Sequence, residues 1–232
     1  MHIGGLEKNS LIDYPGKLSS VIFFSGCNFD CPYCHNPDLA KNCKPRTADL
    51  NCEKICHFLE LRRGFLDGVV ISGGEPTLQN DLAYLCARIK HLGYPVKLDT
   101  NGSRPCALKH LIEENLVDYI AMDLKTDPQL YATYITRNRD TDPIFSSIQI
   151  IMNSGIDYEF RTTCVKPIIT HEAIENIARL IQGAKLYALQ RFRNNVVLHP
   201  EFFREDHCEY VDEELEQLRL LAAPFVDRCI VR

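Results

Sequence analysis

The sequence predicts an α/β fold: a parallel sheet whose strands are joined by crossover helices and which closes only part of the way into a barrel. Three observations lead there. Short apolar runs alternate about six times with segments whose apolar residues recur at helical spacing, the pattern of βα units rather than hairpins. Polar or glycine-rich loops follow those runs, which gathers the candidate functional groups on one rim, at the carboxyl ends of the strands. The chain has 232 residues, whereas eight βα units take about 250, so an open, partial barrel is expected. No linker, low-complexity tract or repeat interrupts the chain. Residues 1–232 therefore read as a single domain, with a core over about 16–200 and a C-terminal extension over 201–232.

The elements follow in order. Residues 1–16 end in Ile12-Asp13-Tyr14-Pro15-Gly16 and read as a turn-rich lead-in without a strand. Residues 18–24 form the first strand, which delivers the loop Cys27-Asn28-Phe29-Asp30-Cys31-Pro32-Tyr33-Cys34-His35. A helix is expected over 50–63, with Ile55, Phe58 and Leu59 on one face. The apolar run 68–71 is a buried strand that breaks into Ser72-Gly73-Gly74-Glu75-Pro76. Residues 78–92 place Leu82, Leu85, Ile89 and Leu92 at helical spacing before a C-capping Gly93. A strand over 95–99 runs into Asp99-Thr100-Asn101-Gly102, a helix follows over 108–114, and a strand over 117–122 ends in Asp123-Leu124-Lys125. Residues 129–134 and 145–152 read as helices, 158–165 as a strand, 171–181 as a helix and 185–191 as the last core strand. A charged helix over 211–223 and an edge strand over 228–231 complete the expected fold.

Composition removes several function classes. With 45% hydrophobic and 25% charged residues the chain is an ordinary globular protein. A formal charge of −5 offers no basic footprint, so nucleic acid is not an expected partner. Residues 1–8 lack the apolar core of a signal peptide, and no run approaches the roughly 18 apolar residues of a membrane span. A cytoplasmic location is therefore expected. Eleven cysteines in a reducing compartment are read as metal ligands or buried thiols rather than disulfides. Cys86, Cys106, Cys164 and Cys229 stand singly and read as small buried hydrophobes. Cys43, Cys52 and Cys56 could make a second metal site, but no C-x-x-C spacing supports one.

The nonapeptide carries the chemistry. Thiolates suit soft metals and iron–sulfur clusters, and three of them leave one iron of a four-iron cube without a protein ligand. An open position is what distinguishes a catalytic from a structural metal site. Shorter patterns compete: Cys31 to Cys34 as a redox dithiol, Cys31 to His35 as a haem-attachment signature, and a Cys₃His zinc site built with His35. The first two leave Cys27 unexplained.

With C-x₃-C-x₂-C after the first strand, an aromatic Tyr33 before the last cysteine and Gly73-Gly74-Glu75 after the second strand, the chain resembles the radical S-adenosylmethionine enzymes along nearly its whole length. The resemblance implies a partial (β/α)₆ barrel. It also implies a [4Fe–4S] cluster on Cys27, Cys31 and Cys34, whose unique iron binds the amino and carboxylate groups of S-adenosyl-L-methionine. Reductive cleavage of that cofactor would give a 5′-deoxyadenosyl radical that abstracts hydrogen. By the same resemblance Gly73, Gly74 and Glu75 receive the methionine amino group, and Tyr33 meets the adenine through its backbone. Arg161 is aimed at the methionine end, and Asp99 and Asn101 at the methionine end or the ribose. A methyl at Gly74 is expected to obstruct the cofactor while leaving the cluster to assemble.

Within that family, Leu11-Ile12-Asp13-Tyr14-Pro15-Gly16-Lys17, Cys34-His35-Asn36-Pro37 and Asp99-Thr100-Asn101-Gly102 are similar to stretches of the activating enzymes of glycyl-radical enzymes. The resemblance implies an oxidoreductase that takes hydrogen from a glycine of a partner glycyl-radical enzyme, most closely an anaerobic ribonucleoside-triphosphate reductase. A low-potential donor such as flavodoxin or ferredoxin would supply the electron. The inserted run of closely spaced cysteines found in two-cluster relatives is absent from the sequence. A radical enzyme for a small molecule, which would need a closed polar pocket, and a zinc or redox module are the alternatives.

Overall fold

The computed structural model describes residues 1–41, 50–136, 140–203 and 208–232. Eight strands form one sheet in sequence order: β1 Ile3–Tyr14, β2 Lys17–Phe24, β3 Gly68–Gly73, β4 Val96–Thr100, β5 Tyr119–Asp123, β6 Asp157–Cys164, β7 Tyr187–Arg191 and β8 Cys229–Val231. The helices are α1 Pro37–Ala40, α2 Cys52–Glu60, α3 Leu82–His91, α4 Pro105–Glu113, α5 Tyr131–Tyr134, α6 Asp142–Met152, α7 His171–Leu180 and α8 Asp212–Ala222. From β2 to β8 every neighbouring pair is parallel, and β1 runs antiparallel to β2. This is the α/β fold expected, with the C-terminal helix and the edge strand in place. No helix among the described residues is long and apolar enough to cross a membrane.

The main correction is β1. The glycines and the Tyr14-Pro15-Gly16 turn make residues 1–16 look like lead-in, yet twelve of them are a strand hydrogen-bonded along β2. Its register shifts three times, so only Ile3, Ser10 and Tyr14 are buried and no period of two survives for pattern reading to find. Other differences lie at boundaries. The helix expected over 78–92 splits into a 3₁₀ turn, Pro76–Leu78, and α3. The Glu75 carboxylate accepts the Thr77 N–H and so caps the start of the 3₁₀ turn. The helix α4 starts earlier than expected, on Pro105, whose missing N–H costs nothing in a first turn.

The two faces of the sheet differ in chemistry. Alternate residues Ile22, Val69, Ile71, Val96, Leu98, Ile120 and Phe160 join the helices in the main core. On the other face, Tyr14, Val21 and Val70 pack with Phe23 and Tyr119 in a small second cluster. The register then carries that face from apolar to charged. Val21, Val70, Lys97 and Tyr119 lie in one row, Phe23, Ser72, Asp99, Ala121 and Glu159 in the next, and Asp123, Arg161 and Ala188 nearest the carboxyl ends.

Candidate active site

β2 ends at Phe24, and the chain turns through Gly26 at φ +94° into the cysteine loop. Neighbours from several elements hold that loop through its backbone. Gly26 N–H donates to the Leu39 carbonyl at 2.7 Å and Asp30 N–H to that of Ile135 at 2.7 Å, while Pro32 accepts the His199 N–H at 3.1 Å. The buried Tyr33 hydroxyl donates to the Lys125 carbonyl at 2.9 Å. Cys27, Cys31 and Cys34 all line one cavity of about 290 Å³ above the charged end of the inner face.

Cys31 is buried, and Cys27 and Cys34 are half-buried. Burial pushes the Cys31 thiol up to about 12 and raises Cys27. These sulfurs therefore hold their protons at neutral pH, and a metal must displace them to bind. No three His, Cys, Asp or Glu side chains among the described residues converge as a single ion requires. His35 Nε2 sits 2.9 Å from the Arg193 carbonyl and its ring stacks on Phe192, so the Cys₃His zinc arrangement is not formed. Three cysteines lining one cavity offer it soft ligands, of the kind a [4Fe–4S] cube takes.

The glycines after β3 serve backbone packing. A Cβ on Gly73, which has φ +115°, would stand 2.3 Å from the Phe24 carbonyl oxygen, and one on Gly74 would stand 2.1 Å from that of Gly26. Both positions line the cavity, but the close approach that demands glycine is to the end of β2. Glu75 does not line the cavity. Its carboxylate is fully buried and accepts from Thr77 N–H and Oγ1, from Thr100 Oγ1 at 2.8 Å and from Asn101 N–H at 2.7 Å. Burial raises its pKa against those donors. The structure thus gives Glu75 the work of tying the β3 loop to the β4 loop. Asn101, in turn, donates from Nδ2 to Asn28 Oδ1 at 3.0 Å and reaches within 3.9 Å of Cys27 Sγ.

Asp99 and Arg161 belong to a buried ion network on the cavity wall. Arg161 Nε donates to Asp123 Oδ1 at 2.7 Å, and its Nη1 lies 3.5 Å from Asp99 Oδ2. Lys97 pairs with Asp99, Ser72 Oγ donates to it at 3.0 Å, and Lys125 Nζ donates to Asp123 Oδ2 at 2.8 Å. Burial would raise both carboxyls, but Arg161 with Lys97 holds Asp99 below the usual range, and Arg161 with Lys125 holds Asp123 well below it. Burial would likewise lower Arg161 and Lys125, and the carboxylates hold both above their ordinary values. Lys97, Lys125 and Arg161 against Asp99 and Asp123 leave one excess positive charge in this network, four of whose members line the same cavity as the cysteines. Asp123, Lys125 and Ser72 line the same cavity and were not singled out from sequence. The signal was present, since Asp123 stands at the carboxyl end of its strand as Asp99 does of its own.

Outside the cavity, Cys52 and Cys56 lie on α2 with their sulfurs 4.0 Å apart, and Cys43 lies outside the described residues. Cys86, Cys164 and Cys229 are buried as expected, whereas Cys106 is exposed. It falls in the first turn of α4, whose buried residues are Leu108 and Leu111.

Residues 21–181 match the model described as the Radical SAM superfamily. A Methanocaldococcus jannaschii protein carrying the provisional name glycyl-radical enzyme activating enzyme is 36% identical over 235 residues, 99% of this chain and 95% of its own length. The pyruvate formate-lyase-activating enzyme of Clostridium pasteurianum is 30% identical over 186 residues, 77% of this chain and 74% of that one. Among solved structures, Streptococcus suis SuiB bound to S-adenosylmethionine superposes with TM-score 0.68 at 16% identity. The match covers 91% of this chain, which spans about half (51%) of SuiB. Methylornithine synthase superposes with TM-score 0.61 at 15% identity, over 91% of this chain and 63% of the other. At such identities these two show the shared fold.

Proposed function

The chain belongs to the radical SAM superfamily, among the activating enzymes of glycyl-radical enzymes, and on that premise we propose that it installs the glycyl radical of an anaerobic ribonucleoside-triphosphate reductase in the cytoplasm. The family uses a [4Fe–4S] cluster and S-adenosyl-L-methionine, which when bound supply one-electron cleavage of the cofactor's S–C5′ bond and hydrogen abstraction. In the proposed assignment Cys27, Cys31 and Cys34 hold the cluster. Gly73, Gly74 and the backbone at Tyr33 shape the wall, and Asn101 braces the loop at Asn28. Arg161, Lys125, Asp99 and Asp123 receive the charged end of the cofactor. Glu75 acts one step away, by fixing Asn101 and Thr100.

One observation carries the choice of a protein substrate over a small one. The cavity measures about 290 Å³, at the lower edge of the roughly 300–1,000 Å³ typical of ligand pockets. Cluster and cofactor would occupy that volume, so the hydrogen donor has to arrive across the mouth. A docked loop of a large partner then also excludes water, which radical chemistry requires. The reductase is favoured among partners by the likeness of residues 11–17, 34–37 and 99–102, and flavodoxin or ferredoxin fits as the electron source. The test is isotopic. Iron-loaded, reduced protein is incubated with S-adenosylmethionine and reductase carrying α-deuterated glycine, with pyruvate formate-lyase labelled in the same way for comparison. Deuterium in 5′-deoxyadenosine from the reductase alone supports the assignment. Deuterium from the lyase alone would reassign the partner.

A further inference from the structure

Away from the cavity, α2 carries two thiols that face each other. Cys52 is the first residue of the helix and Cys56 stands four residues on, with 4.0 Å between their Sγ atoms. Four residues at 1.5 Å rise separate their Cα atoms by about 6 Å, inside the span a disulfide bridges. Cβ atoms at this spacing lie about 5–6 Å apart, against about 3.8 Å in a disulfide. The first turn must therefore give by 1–2 Å for a bridge to form, on the same estimate. Cys52 stands where a helix gives most readily, in its opening turn, where backbone N–H groups lack intrahelical partners. Strain raises a bridge's reduction potential, so a bridge of this kind is labile and readily reduced, as regulatory rather than structural disulfides are.

Access is unequal. Cys56 is 5% exposed, whereas Cys52 is half-buried. At Cys56 a cleft of about 330 Å³ opens between α2 and α3, with Glu53 and Glu60 as well as His57, Arg63, Arg88 and His91 in its walls. Burial and the neighbouring Cys56 push the Cys52 thiol up to about 11, with Arg88 pulling the other way, so Cys52 rests as the thiol.

We propose that Cys52 and Cys56 form a reversible dithiol–disulfide site that reacts with low-molecular-weight disulfides. Cys52, as thiolate, attacks one sulfur of the external disulfide. That S–S bond breaks, a mixed disulfide forms on Cys52, and one external thiolate leaves with the electron pair and takes up the proton Cys52 gave up. Cys56 then attacks the Cys52 sulfur, closes the intrahelical bridge and expels the second external thiol. Two protein thiols are oxidised, and one external disulfide is reduced to two thiols.

The sequence supplies a direct assay. Trypsin cuts after Lys54, between the two cysteines, so a bridge ties the peptide ending at Lys54 to peptide 55–62. Iron-loaded protein is treated anaerobically with oxidised glutathione, alkylated, digested and read by mass spectrometry. The linked pair is expected to become the main form and to revert under dithiothreitol, while Cys56→Ser stops at one glutathione held on Cys52. Three results would overturn the proposal: no linked pair in wild-type protein once the exposed Cys106 is fully glutathionylated, a glutathione that persists on Cys52 in wild-type protein, or a bridge to Cys43. Iron content and S-adenosylmethionine cleavage, measured in the same samples, report separately on the cluster.

Discussion

The carbonyl oxygen of Gly26 stands 2.1 Å from the place a Cβ on Gly74 would occupy, and it accepts the Glu75 N–H at 2.8 Å. The two glycines are packed backbone to backbone, one at the head of the cysteine loop and the other just past β3. A methyl at Gly74 therefore strikes the peptide just before Cys27, so the clash reaches the cysteine loop as well as the cofactor side. Gly74→Ala is expected to lose iron together with S-adenosylmethionine affinity, each by about tenfold or more, the cost of roughly 1.4 kcal/mol of misplacement. Anaerobic iron assay and calorimetry measure both. Full iron content beside weakened affinity would restore the simpler reading.

Alanine at Cys27, Cys31 or Cys34 is expected to abolish the cluster, because each would take one of its corners. Cys52→Ser and Cys56→Ser are expected to keep about four irons and four sulfides per chain, as one cube requires. Iron and acid-labile sulfide assays on the five variants decide it. A cube retained in Cys31→Ala would remove the assignment of that residue.

Among the described residues, Asp123 is the single carboxylate bonded to both Arg161 and Lys125. Asp123→Asn leaves two cations in a buried wall with less compensation, and removing one partner of such a group costs about 3–5 kcal/mol. Chemical denaturation should show a loss near the lower figure, since Asp99 still faces Arg161. The variant should also bind S-adenosylmethionine more weakly. Unchanged stability would mean that water reaches this network freely.

His199 clamps the cysteine loop, with Nε2 2.8 Å from Asp30 Oδ1 and Nδ1 3.0 Å from Glu201 Oε1. The bond to Asp30, aided by Glu201 and opposed by slight burial, raises its pKa above the ordinary 6.5. A raised folded value means that the protonated clamp stabilises the fold fully below about pH 6.5 and fades as pH rises through the folded value. The difference in melting temperature between wild-type protein and His199→Ala is expected to shrink from about pH 6 to about pH 9. A constant difference would leave the clamp without an electrostatic part.

The fold was legible where periodicity was strong. Runs such as Val69-Val70-Ile71 and the spacing of Leu82, Leu85 and Ile89 identify β3 and α3 because a single burial pattern governs each. β1 was not legible, since its bulges scatter Ile3, Ser10 and Tyr14 without a period, and Ile12 is 90% exposed. At the site, three cysteines on one loop announce themselves through spacing. Glu75 could not be placed the same way, because its neighbours Thr77, Thr100 and Asn101 come from two loops that only the fold brings together. Asp123 and Lys125 stand in the sequence only as the end of a strand, because their partnership with Arg161 depends on β5 and β6 pairing in register at Asp123 and Arg161.

Whether the cavity serves a glycine Cα–H of a large partner is read directly by electron-spin resonance. Reduced, iron-loaded protein, S-adenosylmethionine and anaerobic ribonucleoside-triphosphate reductase, mixed without oxygen, are expected to give a doublet on the reductase that collapses when its glycine is α-deuterated. If 5′-deoxyadenosine forms readily while no glycyl-radical enzyme yields that doublet, and a small metabolite gains or loses hydrogen in step, the account is contradicted.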